Sequence, residues 1–315
     1  MIFRTELSAK PNNPQLTYKD NLLFLGSCFA DNMSTYFKQA RFNCTSNPFG
    51  TLYHPVAISK AIRIALDDDY RTDPIETNEL WTSFDVHSSL SRAEKEEFLQ
   101  NFNIKQQELK EQLLDAQFLF ITLGTAHVYK HKSSNTIVAN CHKISQSEFR
   151  KELLSFELIT SSLEKTIKTL LQVNPKINIV FTLSPVRYLR DGFEGNQLSK
   201  SLLYVAIKDV VASHDKVSYF PSYEFILDDL RDYRYYEKDL VHPNQLALDY
   251  VWEKLKLTFL SEKTQQILRR IEKINARLNH RLFNPETPAA KAFVKDTHAL
   301  IDVLQCDFPD LDFGF

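Results

Sequence analysis

Three places in this 315-residue chain combine reactive side chains with backbone that would expose them. The first is Gly26-Ser27-Cys28-Phe29-Ala30, where a serine stands between an apolar run and an amphipathic segment. A hydroxyl that leaves a buried strand and opens a helix lies beside helix-start amides and the positive end of the helix dipole. Those amides suit an oxyanion, which makes Ser27 a candidate nucleophile; the alternative is that it only caps the helix. The second place is Asp239-Leu-Val-His242-Pro-Asn-Gln. Serine attacks poorly until a base removes its proton, and a neutral imidazole needs an acceptor to fix its tautomer. Ser27, His242 and Asp239 supply those three roles. The spacing by itself is weak, because 21 aspartates and nine histidines give roughly 0.6 such pairs by chance; the position before a helix is what raises it. The third place, Leu123-Gly124-Thr125-Ala126-His127, ends another apolar run. There Thr125 and His127 are either substrate contacts or parts of a turn. Gly50, in Asn47-Pro-Phe-Gly50, either presents its N–H to an oxyanion or closes a turn. Cys28 is a rival nucleophile, since a helix start lowers a thiol pKa. The position directly after the strand-ending glycine favours Ser27 and leaves Cys28 as a small buried hydrophobe.

These side chains need strands that end where they begin. Asn21 to Leu25 and Gln117 to Leu123 are continuous apolar runs, each stopped by one of only six glycines, as expected of parallel strands buried on both faces. Ile177 to Leu183 and Val217 to Phe220 read as two more, and a short strand near Arg41 to Cys44 makes about five. Phe29, Met33, Phe37 and Ala40 form one helical face. Similar periodicity runs through Pro55 to Leu66, Ala93 to Leu114, Ser147 to Leu171, Asn196 to Val211 and Asn244 to about Leu260. Strands alternating with helices imply a doubly wound α/β sheet, which binds ligands at the carboxyl ends of its strands. After Leu260 the alternation stops. Two helices, Thr264 to Leu282 and Thr287 to Leu304, are expected to form a C-terminal extension, so the division is 1-260 for the α/β domain and 261-315 for the tail.

Composition narrows the function classes. Apolar residues are 43% and charged residues 25%, values of an ordinary folded chain. Lysine plus arginine number 38 against 40 acids, so no global basic field gathers nucleic acid. No run of about 18 uncharged apolar residues provides a membrane span. The four cysteines form no C-x-x-C pair and no metal-site spacing accompanies them, so no metal is expected. The N-terminus reaches charge at Arg4 without a secretory core, which leads us to expect a cytoplasmic protein.

Gly26-Ser27-Cys28-Phe29-Ala30 resembles the namesake motif of the GSCFA family, a branch related to the SGNH (GDSL-type) hydrolases. Further blocks resemble the family in order: Asn47-Pro-Phe-Gly50, Trp81-Thr-Ser-Phe-Asp-Val-His87-Ser, Thr122-Leu-Gly-Thr125, Ser184-Pro-Val-Arg187-Tyr-Leu-Arg190-Asp-Gly, Asn196-Gln-Leu-Ser-Lys200 and Tyr236-Glu-Lys-Asp239-Leu-Val-His242-Pro. The resemblance implies a three-layer α/β/α flavodoxin-like fold, SGNH hydrolase-like. It also implies nucleophile Ser27 after the first strand and Asp239 with His242 before the last helix of the domain. By the same resemblance the oxyanion hole is the Ser27 amide, the Gly50 amide and an asparagine side chain, whose position here is Ala126. Losing one such donor typically costs ~2.7–4 kcal/mol of transition-state stabilisation, and Thr125 or His127 is the expected substitute.

The expected activity is therefore a serine esterase that hydrolyses an O-acyl ester, acetyl or short-chain, of a small molecule or glycan, with no cofactor. Lipid or thioester hydrolysis is the alternative within that class. Arg187, Arg190, His87 and His127 are the expected substrate contacts, the arginines suiting a carboxylate or phosphate; the competing reading pairs them with Asp191 or Glu194. A non-catalytic SGNH-like ligand-binding or scaffold protein is the alternative outside enzymology, and Ala126 is its best support. The tail's basic run, Arg269, Arg270, Lys273, Arg277 and Arg281, reads as a solvated face, with homodimerisation through the opposite, apolar side as a further expectation.

Overall fold

The computed structural model describes residues 5 to 309, 311 and 313. Along the chain run β1 (Leu22–Gly26), α1 (Cys28–Gln39), β2 (Cys44–Ser46), α2 (Pro55–Leu66), β3 (Ile75–Thr77), β4 (Leu80–Thr82), α3 (Lys95–Asp115), β5 (Phe118–Leu123), β6 (His127–His131), β7 (Thr136–Val138), β8 (Phe149–Leu153), α4 (Phe156–Val173), β9 (Asn178–Leu183), α5 (Gly192–Ser213) and β10 (Val217–Tyr219). The single turn α6 (Ser222–Glu224) leads into a wide helical turn, Phe225–Leu230, and then come α7 (Gln245–Phe259), α8 (Glu262–Leu278) and α9 (Pro288–Asp307).

Five strands form one parallel sheet in the order β2-β1-β5-β9-β10, which by first appearance is the flavodoxin-like order 2-1-3-4-5. Side chains alternate across it. Leu23, Leu25, Leu119, Ile121, Ile179 and Phe181 pack on the face covered by α2, α3, α4 and α5. Leu22, Phe24, Phe118, Phe120 and Val180 pack on the face covered by α1 and α7. Burial on both faces is why β1, β5 and β9 carry few polar residues and are conspicuous as apolar runs.

Two expectations need correction. The second strand lies at Cys44–Ser46 rather than Arg41 to Cys44, because α1 ends at Gln39 and Arg41, with φ of +65°, still belongs to the turn that follows it. The helix expected from Ser147 starts only at Phe156, where the Ser155 side chain accepts from the Leu158 amide; residues Phe149–Leu153 are instead β8. β8 joins β6 and β7 in a small antiparallel sheet ordered β7-β6-β8, and β3 pairs with β4 in a hairpin. Neither small sheet was anticipated.

The tail helices α8 and α9 turn their apolar sides toward each other. Ile267, Ile271 and Ile274 meet Ile301 and Leu304 in a separate small core that also takes Leu311 and Phe313. This core is tied back to the α/β body where Thr264 Oγ1 donates to the Leu16 carbonyl at 3.0 Å and Asn275 Nδ2 donates to that of Gln39 at 2.7 Å. Within the basic run, the Arg277 guanidinium lies 4.1 Å from the Phe293 ring centroid and Arg270 reaches Asp307 at 3.6 Å.

Candidate active site

A cavity of about 700 Å³ opens at the carboxyl end of the sheet. Its wall includes Ser27 and Cys28 from the β1–α1 junction, Thr125 and His127 beyond β5, Ser184 to Asp191 beyond β9, and Val241 with His242 before α7; β6, β7 and β8 supply a further wall through Tyr129, Val138 and Lys151. The small antiparallel sheet thus positions part of the site.

The β1–α1 junction is held tightly. Gly26 has φ of +129°, a conformation reserved for glycine, and a Cβ there would lie 2.1 Å from the Thr122 carbonyl oxygen. Its N–H donates to Asn47 Oδ1 at 2.8 Å, while Asn47 Nδ2 donates to Asp31 Oδ1 at 3.0 Å, stapling the strand end to α1. Ser27 is 0% exposed. Its hydroxyl caps α1 by accepting from the Phe29 amide at 3.4 Å, and its carbonyl accepts from Ala30 N–H at 2.8 Å. Capping and lining the cavity are therefore compatible roles of one side chain. Next to it, burial and then the Asp31 carboxylate push the Cys28 thiol pKa up, which suppresses the thiolate that a cysteine nucleophile requires.

The opposite wall is built locally. Asp239 Oδ1 accepts from the amides of Val241 at 2.9 Å and His242 at 3.0 Å, and Asp239 Oδ2 meets His242 Nδ1 at 2.6 Å. The backbone bond from His242 leads the interactions that hold the Asp239 pKa down to about 2. This geometry protonates Nδ1 and leaves Nε2 as the basic nitrogen. Both side chains are about half exposed, 51% for Asp239 and 49% for His242. Among the described residues no hydrogen bond joins Ser27 to His242, although both line the cavity.

The expected oxyanion donors are differently placed. The Gly50 amide donates to the Asn47 carbonyl at 2.7 Å, closing a turn, and Gly50 is not among the cavity-lining residues. The Ser27 amide donates to the Thr122 carbonyl at 3.1 Å, and the Thr125 amide to that of Tyr53 at 3.1 Å. Thr125 Oγ1 accepts from the His127 amide at 3.0 Å and lies 3.2 Å from Ser199 Oγ, which itself accepts from Ala126 N–H at 2.7 Å. Ala126 is fully buried in the core between the sheet and its helices.

Of the expected substrate contacts, His127, Arg187 and Arg190 face the cavity, and His87 does not. His87 caps a short helical turn, its Nδ1 accepting from Ser89 N–H at 3.2 Å, and its side chain packs against Gly50. His127 Nε2 stands 3.6 Å from Asp191 Oδ2, and Asp191 is also paired with Lys151. The arginines thus lose Asp191 as a partner.

Sequence reading missed Lys200. This lysine of α5 is 1% exposed and has no carboxylate partner among the described residues. Its ammonium donates to the carbonyls of Gly124 and Ser184, both at 2.6 Å, so it joins the ends of β5 and β9 beneath the cavity. Burial lowers its pKa to about 7. A lysine on a helix normally reads as solvated, and only its place in an ordered block with Asn196 and Ser199 marked it. Among the described residues, no group of three or more His, Cys, Asp or Glu side chains is arranged to hold a metal ion, and no helix is long and apolar enough to cross a membrane.

The GSCFA family model matches residues 21–255, and a second model, GSCFA domain protein, C-terminal domain, matches residues 271–314. No curated protein matches the chain. Among solved structures, similarity extends to a carbohydrate esterase family 3 protein from Talaromyces cellulolyticus, with a TM-score of 0.39 and 8% identity over 81% of this chain and 99% of that one. A family two carbohydrate esterase from Clostridium thermocellum gives 0.36 and 12% over 83% and 66% of the two chains. An acetyl xylan esterase from Butyrivibrio proteoclasticus gives 0.37 and 10% over 84% and 65%.

Proposed function

This chain belongs to the GSCFA family, and on that premise we propose that it is an ester hydrolase of SGNH type, with Ser27 as nucleophile, His242 as base and Asp239 orienting the imidazole. The observation that carries this reading is one cavity shared by the strand-end serine and a histidine whose Nδ1 is held 2.6 Å from a carboxylate. His242 Nε2 takes the Ser27 proton as Oγ bonds to the acyl carbon. The carbonyl electron pair moves onto oxygen. Collapse breaks the ester C–O bond, and His242 returns the proton to the leaving alkoxide. Water then repeats the sequence, releasing the acid and regenerating Ser27.

The developing oxyanion faces the start of α1, where the Cys28 amide at the first helical position has no intrahelical acceptor. Thr125 is the second donor. Ser199 accepts from Ala126 N–H and lies 3.2 Å from Thr125 Oγ1, and in this reading Ser199 is the donor of that pair, leaving the Thr125 proton for the substrate. The substrate we assign is a short O-acyl ester, acetyl in the simplest case, on a carbohydrate-like alcohol small enough for a 700 Å³ cavity. The division of the chain at residue 260, with the tail as a separate helical unit, belongs to the same proposal.

A second reading is a ligand-binding protein without turnover. It is favoured by the engagement of the Ser27 and Gly50 amides within the fold and by the absence of a Ser27–His242 hydrogen bond among the described residues. Such bonds are commonly loose before substrate arrives. Hydrolysis of para-nitrophenyl acetate by wild type, abolished in a Ser27→Ala variant with an unchanged circular dichroism spectrum, is the expected outcome. Equal turnover by both proteins would reject Ser27, and no turnover by either would favour the binding reading.

A further inference from the structure

The cavity is far more basic than the molecule around it. The whole chain has a formal net charge of −2, yet the lining residues include Lys143, Lys151, Arg187 and Arg190 against the carboxylate of Asp191, with Asp239 behind His242 bonded to its imidazole. The Asp191 carboxylate is already paired with Lys151 and flanked by His127. Neither Arg187 nor Arg190 makes an ion pair or a side-chain hydrogen bond with any described residue. A concave wall of one sign focuses the field inside it and concentrates counter-charge there.

Arg187 is held in place without using its hydrogen-bonding edge. Its guanidinium carbon lies 4.8 Å from the Tyr236 ring centroid and 5.5 Å from that of Tyr233. Stacking of this kind occupies the faces of the guanidinium and leaves its in-plane N–H donors for a planar or tetrahedral oxyanion. Tyr236 belongs to the loop that presents the base: it bridges to Pro243, and the Glu237 amide donates to the His242 carbonyl at 2.7 Å. The unpaired guanidinium is therefore fixed to the segment that carries His242.

We propose that the substrate bears an anionic group, a carboxylate or a phosphate, on the alcohol side of its ester, and that Arg187 and Arg190 hold that group in the cavity. This rests on the reading of Ser27 and His242 as ester-cleaving residues, but anion selectivity has a separate readout. Binding of the charged group at Arg187 seats the ester beside His242, so the arginines select the substrate without taking part in bond breaking.

The test compares three esters of similar shape, para-acetoxybenzoate, para-acetoxyphenyl phosphate and the neutral para-acetoxybenzamide, together with calorimetric binding of their three phenol products. At low salt at least one anion is expected to exceed its neutral counterpart by about tenfold or more, in kcat/KM and in product affinity, the range of one charge-assisted hydrogen bond. The preference is expected to shrink at about 0.5 M sodium chloride and to collapse in Arg187→Gln with Arg190→Gln. Arg190→Gln alone, at an exposed position, gives a partial loss in a variant with little packing to disturb. Preference for the carboxylate points to acylated acids, and preference for the phosphate to acylated phosphorylated alcohols. Equal binding of anionic and neutral products, or a preference that survives both substitutions, overturns the proposal. Selective binding of an anion with no hydrolysis of any ester overturns the hydrolase reading instead and leaves the anion site standing.

Discussion

The two walls of the site are built in opposite ways. Ser27 is sealed at the end of a central strand, its neighbours bound to β5, to Asn47 and to the first turn of α1. Asp239 and His242 stand half exposed on a loop whose bonds reach only a few residues along the chain. One wall is placed by the whole sheet and the other by a five-atom neighbourhood that organises itself. The difference teaches that Ser27 is placed by the core, whereas His242 sits where water and solute can reach it, so the bond from Asp239 to His242 is screened by solvent.

Substitutions on the two walls should therefore differ in kind. Ser27→Ala is expected to lower ester turnover by about 10⁴-fold or more, while the lost cap on α1 lowers unfolding free energy by only about 1 kcal/mol, read by kcat/KM and thermal melting. Gly26→Ala strikes the same wall through the backbone. A Cβ 2.1 Å from the Thr122 carbonyl at φ of +129° is expected to reduce unfolding free energy by about 3 kcal/mol, measurable as a lower urea midpoint. On the other wall Asp239→Asn is expected to cost about 100-fold in kcat/KM, less than the ~10⁴ of a buried triad carboxylate, with the melting temperature unchanged. A loss as large as that of Ser27→Ala would erase the contrast between the walls.

Two pH effects sharpen it. Asp239 stays ionised down to about pH 2, so an acid-side decline in turnover well above that pH must arise from another group, and a decline that tracks the Asp239 carboxyl near pH 2 would contradict this. Lys200 concerns the buried wall. Its folded pKa, about 7, lies below the ordinary 10.5, so the unfolded chain binds more protons between those values and folding gains stability as pH rises through that window. Denaturant midpoints are expected to climb between pH 7 and about pH 9, below the range in which tyrosines ionise. In Lys200→Met the climb should flatten.

The parts of this account that were legible in the sequence are those with a single physical cause. β1, β5 and β9 are buried on both faces, so their apolar runs announced them, and α2 was legible to both ends because Pro55 opens it. β6 and β8 were not, since His127-Val-Tyr-Lys-His131 and Phe149-Arg-Lys-Glu-Leu153 are mostly polar and one face of each meets solvent. Phe149 and Leu153 also match the helical spacing of the segment after them, which is why α4 was expected to begin too early. Asp239 and His242 were legible because their pairing is local. The fates of Gly50 and His87 were not: both depend on a turn packing against a distant segment, where the His87 amide donates to the Phe49 carbonyl at 2.9 Å. Lys200 was hidden by its residue type, since nothing about a lysine in a helix signals that two carbonyls 76 and 16 positions away will take its protons.

The central claim is that Ser27 is an activated nucleophile. Intact-mass spectrometry after exposure to a small fluorophosphonate, comparing wild type with Ser27→Ala and Cys28→Ala, tests it most directly. A single phosphonyl adduct on wild type and on Cys28→Ala, absent from Ser27→Ala, is the predicted result. An adduct that persists in Ser27→Ala, or no adduct on folded wild type, would contradict it.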